Sequence, residues 1–187
     1  MSLTASPFLA PRWLRNRHAQ SLLASSPMRG ARGRMRLQQA AATHQPRVLD
    51  VGDGVRLHGI ASLPATQPPR AMALLLHGWE GSAESSYMRL TAAQLLHAGL
   101  AVFRLNFRDH GNSHHLNEGV FHSNRLDEVL AAAGTVAKLW PDLPLVAAGY
   151  SLGGNFTPLP RLAAAAQPPV RWTRWKLGLH SICAISN

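Results

Sequence analysis

From about Arg47 the chain alternates short apolar runs with stretches whose apolar residues recur at helical spacing. RVLDV (47–51) and VRLHGIASLP (55–64) are separated by the turn-like Gly52-Asp53-Gly54, which predicts an antiparallel hairpin. AMALLLHG, from Ala71, is a continuous apolar run ending in glycine, as expected of a strand buried on both faces. Tyr87 to Ala98 places Leu90, Ala93, Leu95 and Leu96 at helical intervals, and Gly99 suits the end of that helix. AVFRLNFR from Ala101 is the next strand, and HGNSHHLNEGVFHSN is a polar loop. Arg125 to Leu139 is a helix with Leu126, Val129, Leu130 and Val136 on its apolar side, ended by Pro141. LPLVAAGYS is another buried strand; after Ser151 come a helix start, Ala-rich residues, a link containing proline and tryptophan, and HSICAIS as a last strand. Strands alternating with helices predict an α/β fold with a mostly parallel sheet and helices on both faces.

In such a sheet the ligand site lies beyond the carboxyl ends of the strands, and two loops of this chain fall there. One is GYSLGGN, in which Gly149, Ser151 and Gly153 form Gly-x-Ser-x-Gly between a buried strand and a helix. Short Gly/Ser patterns arise by chance, but this context is that of a nucleophile elbow, where glycines permit a strained turn and close helix–strand packing. The other is HGWEGS, from His77. The backbone N–H groups of Trp79 and Leu152 could together face an anion formed at Ser151 as an oxyanion hole.

These residues look like the α/β-hydrolase fold, and more narrowly the chain resembles the YheT-like hydrolases of bacteria, related to the animal abhydrolase domain-containing esterases. The resemblance rests on WLRNRHAQSLL (13–23), LLLHGWEGSAESSY (74–87), VFRLNFRDHGNS (102–113), FHSNRLDEV (121–129) and GYSLGGNF (149–156), and spans most of residues 8–157. It implies hydrolysis of carboxylic esters, short-chain or lipid-like, through an acyl-enzyme on Ser151, with no metal and no organic cofactor. Trp79 and Leu152 carry over as oxyanion-hole positions, and His77 as a residue that shapes its loop rather than a base.

A serine needs a base and usually a carboxylate to orient it, and in this fold both follow the nucleophile in the chain. After Ser151 the sequence holds no Asp or Glu, and its one histidine is His180. SICAIS reads as a parallel strand, and a residue immediately before it lies at the sheet edge opposite the serine, so His180 is badly placed as the base. Asp109, His110, His114 and His115 sit on the active-site edge but would break the family's order; exposed loop histidines are the ordinary reading, and as a metal site the cluster is weak. The expectation is an incomplete C-terminal end, with the later strands, the acid and the histidine missing. Pro158 and Pro160, which interrupt the helix after the serine, and the run RWTRWK add the signature of a reading-frame error or a degrading gene.

Charge leaves a second reading open. Eight arginines and no acid lie in residues 1–47, and four basic residues and no acid in 161–187, within a net charge of +10. Residues 1–47 are expected to pack as a basic segment on a domain spanning 48–187. Arginine interleaved with tryptophan at both ends could grip nucleic-acid phosphates or an acidic membrane surface, although a solvated basic surface is the plain alternative. A non-catalytic hydrolase fragment or basic binding module therefore stands beside the hydrolase. The lone cysteine, Cys183, excludes an internal disulfide and reads as an inert buried thiol. With no secretory signal, the sequence reads as cytoplasmic.

Overall fold

A computed structural model of the chain describes residues 11–12, 15–24 and 26–156, and the strands Arg171–Leu177 and His180–Ser186. Two N-terminal helices, α1 (Arg17–Ala24) and α2 (Pro27–Gln39), precede the sheet. Asn16 caps α1, its side-chain oxygen accepting from the N–H groups of His18 and Ala19 at 2.9 and 3.3 Å. The chain continues through β1 (Ala42–Asp50), β2 (Arg56–Pro64), β3 (Met72–Leu76), α3 (Ser86–His97), β4 (Ala101–Leu105), α4 (Leu126–Leu139), β5 (Leu145–Gly149), a single-turn α5 (Leu152–Asn155), β6 (Arg171–Leu177) and β7 (His180–Ser186).

These strands form one sheet in the order β1-β2-β4-β3-β5-β7-β6. β3 pairs in parallel with β4 and β5, and the other pairings are antiparallel. Five of the seven described strands thus share one direction, with β2 and β7 opposed; the sheet is mixed, and its centre is the parallel β4-β3-β5 of the expected α/β fold. The predicted hairpin is β1–β2, in register from Ala42↔Pro64 to Asp50↔Arg56. β1 begins at Ala42, so residues 42–47, grouped by charge with the N-terminal segment, pair in the sheet.

Two expectations for the tail change. RWTRWK, read as a link, lies in strand β6. β7 pairs antiparallel with β5 (Val146↔Ala184, Ala147↔Cys183), not parallel. Its start is therefore directed toward the carboxyl end of β5, and the ground for placing His180 at the far edge falls away. The cause is topological: β6 precedes β7 in the chain and pairs antiparallel with it, so β7 runs opposite to β6. Pro158 and Pro160 lie outside the described residues, as do the side chains of His180 and Cys183.

Period-two alternation divides the core into two layers. Met72, Leu74 and Leu76 of β3, Phe103 and Leu105 of β4, and Leu145 and Ala147 of β5 pack with Val129, Ala132 and Val136 of α4. Ala73 and Leu75, Val102, and Val146 and Ala148 face the other way, onto Met88, Ala92 and Leu96 of α3 and Leu37 of α2. Helices therefore cover both faces. α3 ends on Gly99 at φ 76°, with Gly99 N–H donating to Leu96 O and Leu100 N–H to Leu95 O, a Schellman closure. α2 approaches α3 at Gly33, where an added Cβ would stand 3.1 Å from the Ser86 carbonyl oxygen.

Candidate active site

The parallel register of β3 and β5 places Leu76 beside Gly149, so the chain segments leaving these strands run side by side. Tyr150 N–H donates to Leu76 O at 3.0 Å. One residue on, Ser151 is exposed and adopts φ 51°, ψ −117°, a backbone conformation that side-chain-bearing residues rarely adopt. The chain then turns into α5, with Gly153 N–H donating to Tyr150 O and Gly154 N–H to Ser151 O, both at 2.9 Å.

The two pattern glycines are required by contact, not by φ. A Cβ on Gly149 would fall 2.2 Å from the Gly153 carbonyl, and one on Gly153 would fall 2.5 Å from the carbonyl oxygens of Leu76 and His77. These neighbours are backbone atoms that cannot swing aside. Gly78 completes the close approach: a Cβ there would lie 3.4 Å from that of Ser151.

The segment after β3 folds into a reverse turn, closed by Gly81 N–H to Gly78 O at 3.0 Å with Trp79 and Glu80 at its tip. Trp79 is 60% exposed, and its ring leans toward Phe121 at 6.2 Å. Among the described residues, neither the Trp79 nor the Leu152 N–H meets an acceptor. Gly78 N–H donates to the Tyr87 hydroxyl at 3.0 Å, and the Tyr87 ring packs 4.7 Å from that of Tyr150, tying this turn to the residue before the serine.

His77 is fully buried. Its Nδ1 lies 2.7 Å from Gly78 O, and its Nε2 lies 3.2 Å from Phe107 N. A carbonyl oxygen only accepts and an amide N–H only donates, so the ring is the neutral tautomer protonated at Nδ1. Burial pushes its pKa down to about 4, against the Gly78 hydrogen bond and with a small contribution from His110. Both nitrogens are committed, so His77 holds the turn and has none free to serve as a base. His110 donates from Nδ1 to Arg108 O at 2.8 Å, while exposed His114 meets Asp109 at 2.5 Å. Among the described residues no histidine hydrogen-bonds Ser151, and no three metal-capable side chains come together.

Two residues that sequence reasoning passed over brace this edge. Arg104, 2% exposed in β4, donates to Ala83 O at 2.7 Å and to Glu84 at 3.0 Å. Asn106 accepts from Ala83 N–H at 2.6 Å, pairs with His58 Nδ1 at 3.0 Å, and its side chain would be struck by a Cβ on Gly111. Glu84 is held below the usual carboxylate range: burial opposes this, but the hydrogen bond from Arg89 and the charges of Arg104 and Arg89 outweigh it. The available signal was an arginine inside AVFRL, because a charge in a fully buried strand demands partners. On the other side of this edge Arg108 makes a two-pronged pair with Glu128 at 2.7 and 3.2 Å and donates to Glu118 O, fixing the loop that carries Phe121.

No protein-family model matches the chain, and no curated protein matches it by sequence. Solved structures do. A lidless α/β serine hydrolase from Xanthomonas campestris is 27% identical, with a TM-score of 0.55, over 67% of this chain and 57% of its own. An esterase from Pyrococcus furiosus is 20% identical, with a TM-score of 0.56, over 64% of this chain and 46% of its own. An α/β serine hydrolase homologue from Coxiella burnetii is 19% identical, with a TM-score of 0.53, over 60% and 54%. The chain has the α/β-hydrolase fold. It spans about half the length of the solved structures it matches.

Proposed function

We propose that the chain is a serine hydrolase of carboxylic esters, short-chain or lipid-like, of the YheT-like type, with Ser151 as nucleophile. The observation that carries the reading is the conformation of Ser151: exposed, at φ 51°, ψ −117°, between β5 and α5 at the carboxyl edge of the sheet. Backbone strain of this kind persists only where the surroundings over-determine it, and such residues cluster at active sites. The structures described as serine hydrolases and esterases support the same class.

In this reading Ser151 Oγ attacks the ester carbonyl carbon as its proton passes to a base. The carbonyl π electrons move onto oxygen, and collapse expels the alcohol and leaves an acyl-serine that water hydrolyses. The unpaired N–H groups of Trp79 and Leu152 stabilise the oxyanion. Gly149 and Gly153 let β5 and α5 close around the serine. The base is the unassigned part: His77 is excluded by its hydrogen bonds, and the antiparallel direction of β7 makes His180 worth testing.

The test is labelling by a fluorophosphonate probe together with p-nitrophenyl butyrate hydrolysis, on the wild type, Ser151→Ala and His180→Ala. Labelling lost in Ser151→Ala supports the nucleophile. A wild type that neither labels nor hydrolyses, or a label that survives Ser151→Ala, overturns it.

A further inference from the structure

The N-terminal helices carry a surface that ester hydrolysis leaves unused. A cleft of about 690 Å³ opens between α2 and α3, lined by Arg29, Arg32 and Arg36 as well as by Leu23, Met28 and Leu90. None of the residues of the elbow or of the Gly78–Gly81 turn lines it. The three arginines stand at i, i+3 and i+7 and so form one stripe along α2. All three are exposed, and among the described residues none forms an ion pair. The sequence explains this: residues 1–47 contain no Asp or Glu, so no acid is at hand locally to neutralise them.

Leu23 and Met28 line the cleft with this stripe, Leu22 precedes Leu23 in α1, and all three remain in water. Leu22 is 74% exposed, Met28 71% and Leu23 39%. Folding gains little from them in that state. Single exposed apolar side chains are ordinary on a surface, but Leu23 and Met28 line the same cleft as the three arginines. A single-stranded nucleic-acid platform would call for aromatic rings at these positions. Arginines flanked by exposed aliphatic side chains on short helices instead suit the boundary of an anionic bilayer, where phosphates neutralise the charges and acyl chains take up the apolar groups.

We propose that the α1–α2 face docks on bilayers rich in anionic phospholipid, Arg29, Arg32 and Arg36 meeting headgroup phosphates while Leu22, Leu23 and Met28 enter the acyl boundary. Among the described residues no helix is long and apolar enough to cross a membrane, so this is surface attachment by those helices. The inference is independent of the role of Ser151.

Co-sedimentation of the full chain with vesicles tests it. Vesicles of mixed phosphatidylglycerol and phosphatidylcholine should take up the protein, and pure phosphatidylcholine should not. The triple variant Arg29→Gln, Arg32→Gln, Arg36→Gln should partition about a hundredfold more weakly, since each arginine near an anionic surface contributes a several-fold factor. Leu22→Ser with Met28→Ser should weaken partition further at constant charge. Circular dichroism checks folding, and all five positions are exposed. No uptake by anionic vesicles, equal uptake by neutral ones, or uptake unchanged in the triple variant overturns the proposal. So does tight binding of a single-stranded RNA through the same three arginines without vesicle uptake.

Discussion

Acidification should destabilise the fold through His77, and the size of the effect follows from its two hydrogen bonds. The folded ring accepts at Nε2 from Phe107 N–H, so protonation there would set two donors against each other in a buried space. Its pKa is pushed down to about 4, from the ordinary 6.5 that the unfolded chain retains. Between these values the unfolded state binds the proton and the folded state does not, so stability is complete above about pH 6.5 and is lost as pH falls toward 4. Each unit of difference corresponds to about 1.4 kcal/mol. The linkage integral then gives a loss of about 2 kcal/mol between pH 7.5 and 5, and about 3 kcal/mol by pH 4. Against a typical total stability of roughly 5–15 kcal/mol, this is a large fraction. His44 and His58 are also shifted downward, chiefly by burial, and act in the same direction. The assay must therefore be differential: urea unfolding of the wild type and of His77→Asn, whose amide can still donate to Gly78 O, at pH 7.5 and 5. The wild type's advantage should shrink by about 2 kcal/mol. Parallel stability–pH curves for the two proteins would refute the assignment, as would an NMR titration placing the His77 ring near 6.5.

The elbow makes two further predictions, opposite in sign. Ser151→Gly removes a side chain from a strained backbone; relief of roughly 1–3 kcal/mol, less the roughly 0.5–1 kcal/mol entropic penalty of glycine, should leave a net stabilisation of about 1 kcal/mol, read as a rise of about 3 °C in Tm. A fall in Tm would show that Ser151 is not strained. Gly153→Ala should destabilise by about 3 kcal/mol in urea unfolding, because the new methyl would meet the carbonyl oxygens of Leu76 and His77 at 2.5 Å; a change under 1 kcal/mol would mean that α5 packs less tightly on β3 than described.

Legibility in the sequence follows the range of the interactions that decide each feature. β3 and β5 were readable because their burial on both faces is written as uninterrupted apolar runs, and α3 because its spacing ends on a glycine whose φ is positive. The helix α2 was not foreseen. PMRGARGRMRLQQ contains two glycines and few apolar residues, and it is held by a tertiary contact in which Gly33 permits close approach to α3. Arg104 and Asn106 were missed for a related reason: their partners, Ala83, Glu84 and His58, lie more than 19 residues away in the chain. The direction of β7 depends on the hairpin it makes with β6, and RWTRWK lacks the apolar alternation that would have announced a strand.

The sources of the elbow's geometry also bear on what the chain can do. Strain at Ser151 has to be imposed by neighbours, and each neighbour seen to impose it lies between Met72 and Phe156. The β3–β5 register sets Gly78 beside the serine, Gly149 and Gly153 admit close packing, and Tyr87 and His77 lock the turn after β3. None of these contacts draws on β6 or β7. If Ser151 is the nucleophile, as proposed, its presentation rests on these contacts and is separable from the supply of a base, and the two should fail independently. On that reading, substitutions in the tail that remove a base should abolish turnover while the turn at Ser151 stays intact. A substitution at Gly153 or His77 should instead disturb the site and the stability of the sheet together. Residual catalysis from oxyanion stabilisation alone is roughly 10³–10⁴-fold over water in hydrolases stripped of their triad. A rate of that order, unchanged in both Ser151→Ala and His180→Ala, would mark a presented serine without a working base.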